Sequence, residues 1–456
     1  ESGVDVCVGL RDGSSSVADW ARRQLGRMTG AEGAMSAAAF GTLFTSLGGT
    51  AIRFVLQIAL SNWLGQAAYG LFVLGRGWGE LLSKVPSRGY MMTALRVLPD
   101  YEHNEEWGLC RGFVRSASRE TAVGGIVLAV LAALGYGLLV PSAESAIVFG
   151  LFLAPALAVV GMYRALLQAA HQYVPATGLT ELFQPVLFGV VLGGLAVATD
   201  MTAEAALVLY IGSMALTAVL EALLLRRSLP DAIHASEQRF RRKDWVATAR
   251  PLFVAQLALA ALQVVDLLVV GAILGAAEAA LYGVATRVAV LGRVVNSGLE
   301  SVVSPRISKA YASGTPGDIQ GIVDQTIRIS AAPTLGFALL VALAADPVLS
   351  LFGAEYVDAR SVLLILLVGN VTNALTGPSG FVISMTGSEW TYAAVMGAHA
   401  VGLTVLSFWL GWTHGIVGVA IGRSLINVSW NMTLVVLARR RLDVRCYPRR
   451  TTFSRT

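Results

Sequence analysis

Charged residues are scarce in this 456-residue chain: Asp, Glu, Lys and Arg make up 14% of it, against roughly 25% in soluble domains. That deficit excludes an ordinary water-soluble globule. A mean hydropathy of +0.65, with repeated apolar runs of bilayer length, points to a polytopic membrane protein. Strict alternation of apolar and polar residues is also missing, which excludes a barrel of strands and leaves helices. Cysteine is rare, and Cys7, Cys110 and Cys446 lie far apart, so no pair has metal-ligand spacing. His171, His234 and His399 form no metal or catalytic pattern. With no nucleophile constellation and no phosphate-cradling loop, no enzyme, metal or cofactor is expected. The first 34 residues hold four arginines but no apolar core, so no cleavable signal peptide is expected. Residues 16–28 suit a short amphipathic helix on the membrane surface.

What is abundant is Ala, Leu, Val and Gly. The 48 glycines suit close helix–helix approach in lipid. Windows of about 20 apolar residues predict twelve spans: 41–64, 69–90, 122–140, 146–167, 177–198, 204–225, 252–274, 279–303, 327–348, 360–384, 391–412 and 416–438. The loops that then share one side, around 65–68, 141–145, 199–203, 275–278, 349–359 and 413–415, contain no Lys or Arg. Most of the 34 basic residues crowd the other side. The positive-inside rule therefore puts both termini in the cytoplasm of a cell membrane. There the three thiols should stay reduced. Because most of the chain is membrane, the net charge of +5 carries no argument for nucleic acid, and none is expected as a partner.

The chain repeats itself. Leu64-Gly65 and Tyr69-Gly70 correspond to Leu274-Gly275 and Tyr282-Gly283, each followed by a helix bearing bases: Arg76 and Lys84, then Arg287 and Arg293. The expected fold is an all-α membrane protein of about twelve transmembrane helices in two six-helix bundles related by an internal parallel repeat. It divides into a cytoplasmic N-terminal segment 1–40, a first bundle 41–227, a cytoplasmic linker 228–250, a second bundle 251–440 and a basic cytoplasmic tail 441–456.

The "LG…YG" element, "VDLLVVGAILGAAEAALYGVATRVAVL…VVSPRIS", "LFGAEYVDARSVLLILLVGN" and "GIVGVAIGRSLINVSWNM" resemble, in order and spacing, a known group of transporters. It is the polysaccharide-transporter (O-antigen flippase) branch of the multidrug/oligosaccharidyl-lipid/polysaccharide flippase superfamily. The resemblance covers residues 41 to about 441. It implies two six-helix bundles around a central cavity that flip polyprenyl-pyrophosphate-linked sugars from the inner to the outer leaflet. The implied partners are that lipid-linked oligosaccharide, membrane lipids and polysaccharide-assembly proteins. Lipid II flippases of the same superfamily typically have fourteen helices, two more than predicted here. A multidrug exporter of the superfamily is an alternative, opposed by the embedded bases. A membrane glycosyltransferase or polymerase is another, opposed by outer loops no longer than roughly 346–360.

Six bases fall inside predicted spans: Arg53, Arg76, Lys84, Arg287, Arg293 and Arg423. Left unpaired they would cost roughly 15–20 kcal/mol on insertion scales, more than a typical domain's whole stability of about 5–15 kcal/mol. They must face a watery cavity or pair with acids, of which only Glu80 and Asp266 lie at depth. The excess predicts a cationic cavity with an anionic guest, and a planar guanidinium suits phosphate. Arg53, Arg76, Arg287 and Arg293 are the expected pyrophosphate ligands. Glu80 is expected to pair with Arg76 or Lys84 in the empty state. Asp266 either couples transport to an ion or pairs with Arg293. Arg423, on the last helix, is given no role. Trp63, Tyr69, Trp78, Trp390, Tyr392, Trp412 and Trp430 are read as interfacial anchors rather than sugar platforms. Pro155, Pro185, Pro333 and Gly377-Pro378 are expected bend points.

Overall fold

The computed structural model describes residues 31–140, 144–292, 303, 306–307, 310–311, 316–385 and 389–446, and their regular structure is helical throughout. The helices are α1 (Ala31–Leu82), α2 (Lys84–Ser87), α3 (Tyr90–His103), α4 (Trp107–Leu139), α5 (Ser145–Ala169), α6 (Tyr173–Gly178), α7 (Gln184–Ala198) and α8 (Ala203–Ser228). After a short α9 (Asp231–Ala235) come α10 (Arg242–Leu274), α11 (Ala276–Leu291), α12 (Pro316–Leu343), α13 (Ala345–Ser350), α14 (Arg360–Thr376), α15 (Ser379–Met385) and α16 (Glu389–Leu442). A π turn, Leu179–Phe183, joins α6 to α7.

Among the described residues nine helices are long and apolar enough to cross a membrane. Two of them double back: α1 breaks at Gly65 and α16 at Gly415. The 16-residue α11 is too short for that count but forms the partner limb of α10. Twelve spans result. The repeat is visible in the backbone itself: Gly65 (φ 72, ψ 168) and Gly275 (φ 97, ψ 179) break their helices in nearly the same conformation. That conformation is open only to a residue without a Cβ. Three more residues separate Gly275 from Tyr282 than Gly65 from Tyr69, close to one helical turn. Both tyrosines end up almost wholly buried.

The run "GRGWG" is explained by packing. A Cβ on Gly150 of α5 would lie 2.2 Å from Gly75 Cα, and one on Gly79 would lie 2.8 Å from the Gly150 carbonyl. Bare glycines let the second limb of α1 lie directly against α5, where dispersion replaces the absent hydrophobic drive between helices in lipid.

One buried cluster ties the two bundles together at the end lacking basic residues, and aromatic rings form its seam. Tyr69 meets Tyr356 edge-on at 6.2 Å, and Phe54 meets Phe352 at 5.5 Å. At the basic end the cores are separate. One holds Tyr90, Phe113 and Trp245; the other holds Leu262, Ile307 and Leu434. The chain leaves the second bundle with a tuck: the Arg445 N–H donates to Gln320 Oε1 at 2.7 Å, and the Gln320 amide donates to the Arg445 carbonyl at 3.0 Å. Beyond it Cys446 is buried, and burial, with the Asp324 carboxylate adding to it, pushes its thiol up to about 12. Cys110 and Cys446 are free thiols.

Some expectations need correction. The second span ends at Leu82, not residue 90; a short helix and a left-handed Arg88 then turn the chain into α3. Hydropathy windows also miss α3 and the inward extension of α4 back to Trp107, because both are amphipathic and sit at the membrane edge. Trp63, Trp390 and Trp412 are exposed on the outside, as anchors should be, whereas Tyr69 is core. The expected surface helix at 16–28, Cys7, Arg293 and the tail beyond Cys446 lie outside the described residues.

Candidate functional site

Between the bundles lies a chamber of about 390 Å³. The first bundle contributes Thr50, Arg53, Phe54 and Gln57 from the first limb of α1, and Val73 and Glu80 from the second. Across from them stand Gln263, Asp266 and Leu267 of α10, Gly283, Thr286, Arg287 and Leu291 of α11, and Arg423 of α16. Three arginines and two carboxylates therefore face one space.

Each charge has a distinct setting. Arg53 pairs with Glu181 at 2.5 Å, but Glu181 is shared with Arg164 at 2.9 Å, so one carboxylate answers two guanidinium groups. Arg76 donates through Nε to Glu80 at 2.8 Å and lies over the Tyr210 ring at 5.5 Å. It stands behind Glu80, turned into the first bundle and away from the chamber wall. That i,i+4 pair, reinforced by the cation–π contact, chooses Arg76 over Lys84 as the partner of Glu80. The Lys84 ammonium has no hydrogen bond or ion pair among the described residues.

Asp266 is nearly inaccessible, and its Oδ2 accepts from Arg423 Nη1 at 2.6 Å and from the Tyr282 hydroxyl at 2.5 Å. The expected alternative partner, Arg293, falls outside the described residues, and the acid is engaged by the arginine that sequence reasoning set aside. A signal for Arg423 was present: Arg423, Asn427 and Asn431 recur every fourth residue and share one face of α16. Arg164 and Glu181 were missed as site elements because each sits near a span end, where charge is unremarkable.

Arg287 differs from all of these. It is partly buried, lines the chamber, and among the described residues makes no hydrogen bond or ion pair. The residue four positions on is Leu291, whereas Arg76 has Glu80 at that spacing. Glu80 on the same chamber wall acts on it only through space and is already bound to Arg76. A guanidinium at bilayer depth with no carboxylate of its own is costly. An anion entering the chamber would relieve that cost.

A family model described as "Polysaccharide biosynthesis protein" matches residues 38–311. The chain belongs to the polysaccharide biosynthesis protein family. A second family model, MatE, matches residues 251–413 of this polysaccharide biosynthesis protein. Solved structures show the same fold at low identity. One is an inward-facing multidrug resistance MATE family transporter of the MOP superfamily, 16% identical, with a TM-score of 0.70 over 89% of this chain and 94% of the other. The outward-facing form of a MATE family transporter scores 0.64 at 16% identity, covering 89% and 95%. A MOP superfamily transporter from Pyrococcus furiosus, reported for a binding pocket of reverse polarity that suggests a different function, scores 0.64 at 16% identity over 89% and 95%. No curated protein matches significantly. The protein is thus a multi-pass helical membrane protein of the polysaccharide biosynthesis protein family, with the fold of these transporters.

Proposed function

We propose that this protein flips polyprenyl-(pyro)phosphate-linked oligosaccharide across the cytoplasmic membrane by alternating access, for cell-surface polysaccharide or glycan assembly. The observation that carries the reading is Arg287, a guanidinium that faces the chamber between bundles and makes no hydrogen bond or ion pair among the described residues, with Arg53 nearby sharing Glu181 with Arg164. A lipid-linked pyrophosphate needs a cationic path for its headgroup while its tail stays in lipid. Arg287 and Arg53 are its proposed ligands. Glu80, in the chamber wall, holds Arg76 in reserve one layer back, and Arg293 belongs to the same proposed set. Asp266, locked to Arg423 and Tyr282, acts in this reading as the charge partner that keeps Arg423 in place.

In the same reading both termini are cytoplasmic, as the basic loops require, and the basic end is the open one. The sealed seam at the opposite end supports an inward-open state, and the higher TM-score to the inward-facing relative is consistent with it.

The test is translocation of a fluorescent polyprenyl-pyrophosphate oligosaccharide in proteoliposomes containing the full chain. Flipping in the wild type and its loss in Arg287→Ala are expected. A second reading, export of organic cations, is favoured by the MatE match over the second bundle. Efflux of a cationic dye by the wild type, with no flipping of the sugar lipid, would replace the first reading with it.

A further inference from the structure

A second pocket, of about 100 Å³, opens inside the second bundle beside the chamber, and the two share Gln263, Thr286, Val290 and Arg423 in their walls. Its chemistry is unlike the chamber's. No carboxylate lines it, and its one cation, Arg423, is already bound to Asp266. Neither a metal ion nor a second phosphate is matched by such walls.

The remaining polar groups are neutral and include both donors and acceptors: Gln263, Asn370, Ser424 and Asn427, with the Trp430 indole beside them. Several are held in position from behind. The Asn370 amide donates to the Ala289 carbonyl at 2.8 Å, the Asn427 amide to Gly369 at 3.0 Å, and the Ser424 hydroxyl to Ile365 at 2.8 Å. These bonds fix the side chains and leave Asn370 Oδ1 without a donor among the described residues. The Trp430 N–H is buried with no acceptor, and the Gln263 amide also makes no hydrogen bond. A buried donor without a partner is unfavourable by about 1–3 kcal/mol, and a ligand hydroxyl in the pocket would relieve it.

We propose that this pocket is a carbohydrate subsite that receives the sugar ring attached directly to the pyrophosphate. A flat indole offers an apolar face to the ring's C–H groups, while fixed amides and a hydroxyl offer the paired donors and acceptors that ring hydroxyls require. The shared wall places the ring next to the phosphate. Arg423, held by Asp266, stands at the junction of the two spaces. The assignment rests on the flippase reading and adds to it a site that selects the first sugar.

The experiment compares two probes on the purified full chain in detergent by calorimetry: a short-chain prenyl pyrophosphate, and the same lipid carrying one hexose. The wild type should bind the glycosylated lipid about tenfold more tightly, the gain expected of one or two recovered hydrogen bonds plus ring contact. Trp430→Ala and Asn370→Ala should each bring that ratio close to one without changing affinity for the bare prenyl pyrophosphate. Trp430→Phe, which keeps the ring and loses the N–H, should retain part of it and serves where the alanine variant folds poorly. Equal wild-type affinity for the two lipids overturns the sugar subsite, as does a ratio that survives in all three variants. A wild type that binds neither probe overturns the flippase reading and the subsite with it; binding of the bare lipid alone leaves the flippase reading standing.

Discussion

Arg76 and Arg287 rise from corresponding helices of the repeat, seven residues after Tyr69 and five after Tyr282, yet one is locked and the other makes no hydrogen bond or ion pair among the described residues. The first copy follows its arginine with Glu80 and ties it down at 2.8 Å; the second follows it with Leu291 and leaves the guanidinium facing the chamber. Duplication gives two symmetric bundles, but transport of an asymmetric molecule calls for an asymmetric site. A single i+4 position supplies much of that asymmetry.

The largest effect should come from the second bundle's own locked pair. Asp266→Asn leaves Arg423 without a carboxylate in a nearly inaccessible setting, and breaking a buried pair typically costs about 3–5 kcal/mol. A fall in thermal unfolding temperature should be seen, and the double variant Asp266→Asn/Arg423→Gln should recover part of it. Arg287→Ala should be less harmful to folding and more selective: losing one charge-assisted phosphate contact, about 1.5–3 kcal/mol, lowers flipping by about tenfold to a hundredfold. Unchanged flipping in proteoliposomes would break the comparison. Leu291→Glu should make the second copy resemble the first. The new Glu would capture Arg287, and flipping should fall by about tenfold or less, with Leu291→Gln keeping most activity. The smallest effect is expected at the outer rim. Arg360 pairs with Asp346 at 2.8 Å with both side chains about half exposed, so Arg360→Ala should shift stability by at most about 0.5–1 kcal/mol and leave flipping untouched.

Much of this was readable in the chain. Apolar runs, glycine content and the loops empty of bases were enough for helices, for about twelve of them, and for the repeat, since each follows from bilayer thickness and backbone chemistry. The Arg76–Glu80 pair was also legible, because four residues is one helical step. The Asp266–Arg423 bond spans 157 positions, and no local rule links residues that distant. With the Tyr-Gly pairs aligned, Arg76 falls on Ala289 and Glu80 on Arg293, so the repeat itself could not single out Arg287; the absence of an acid four residues after it could. The sugar-pocket residues were out of reach for a different reason. Trp430 near a span end reads as an anchor until its neighbours Asn370 and Gln263, from two other helices, are seen beside it.

The ring-against-ring seam joining Tyr69 and Phe54 to Tyr356 and Phe352 implies something about tempo. In the proposed alternating-access cycle the molecule would have to part these rings and wet them to release cargo outward, so the strength of this zipper would govern how long each cycle waits before discharge. A weaker zipper would let the molecule linger in its discharged posture, whereas a stronger one would leave it loaded and slow.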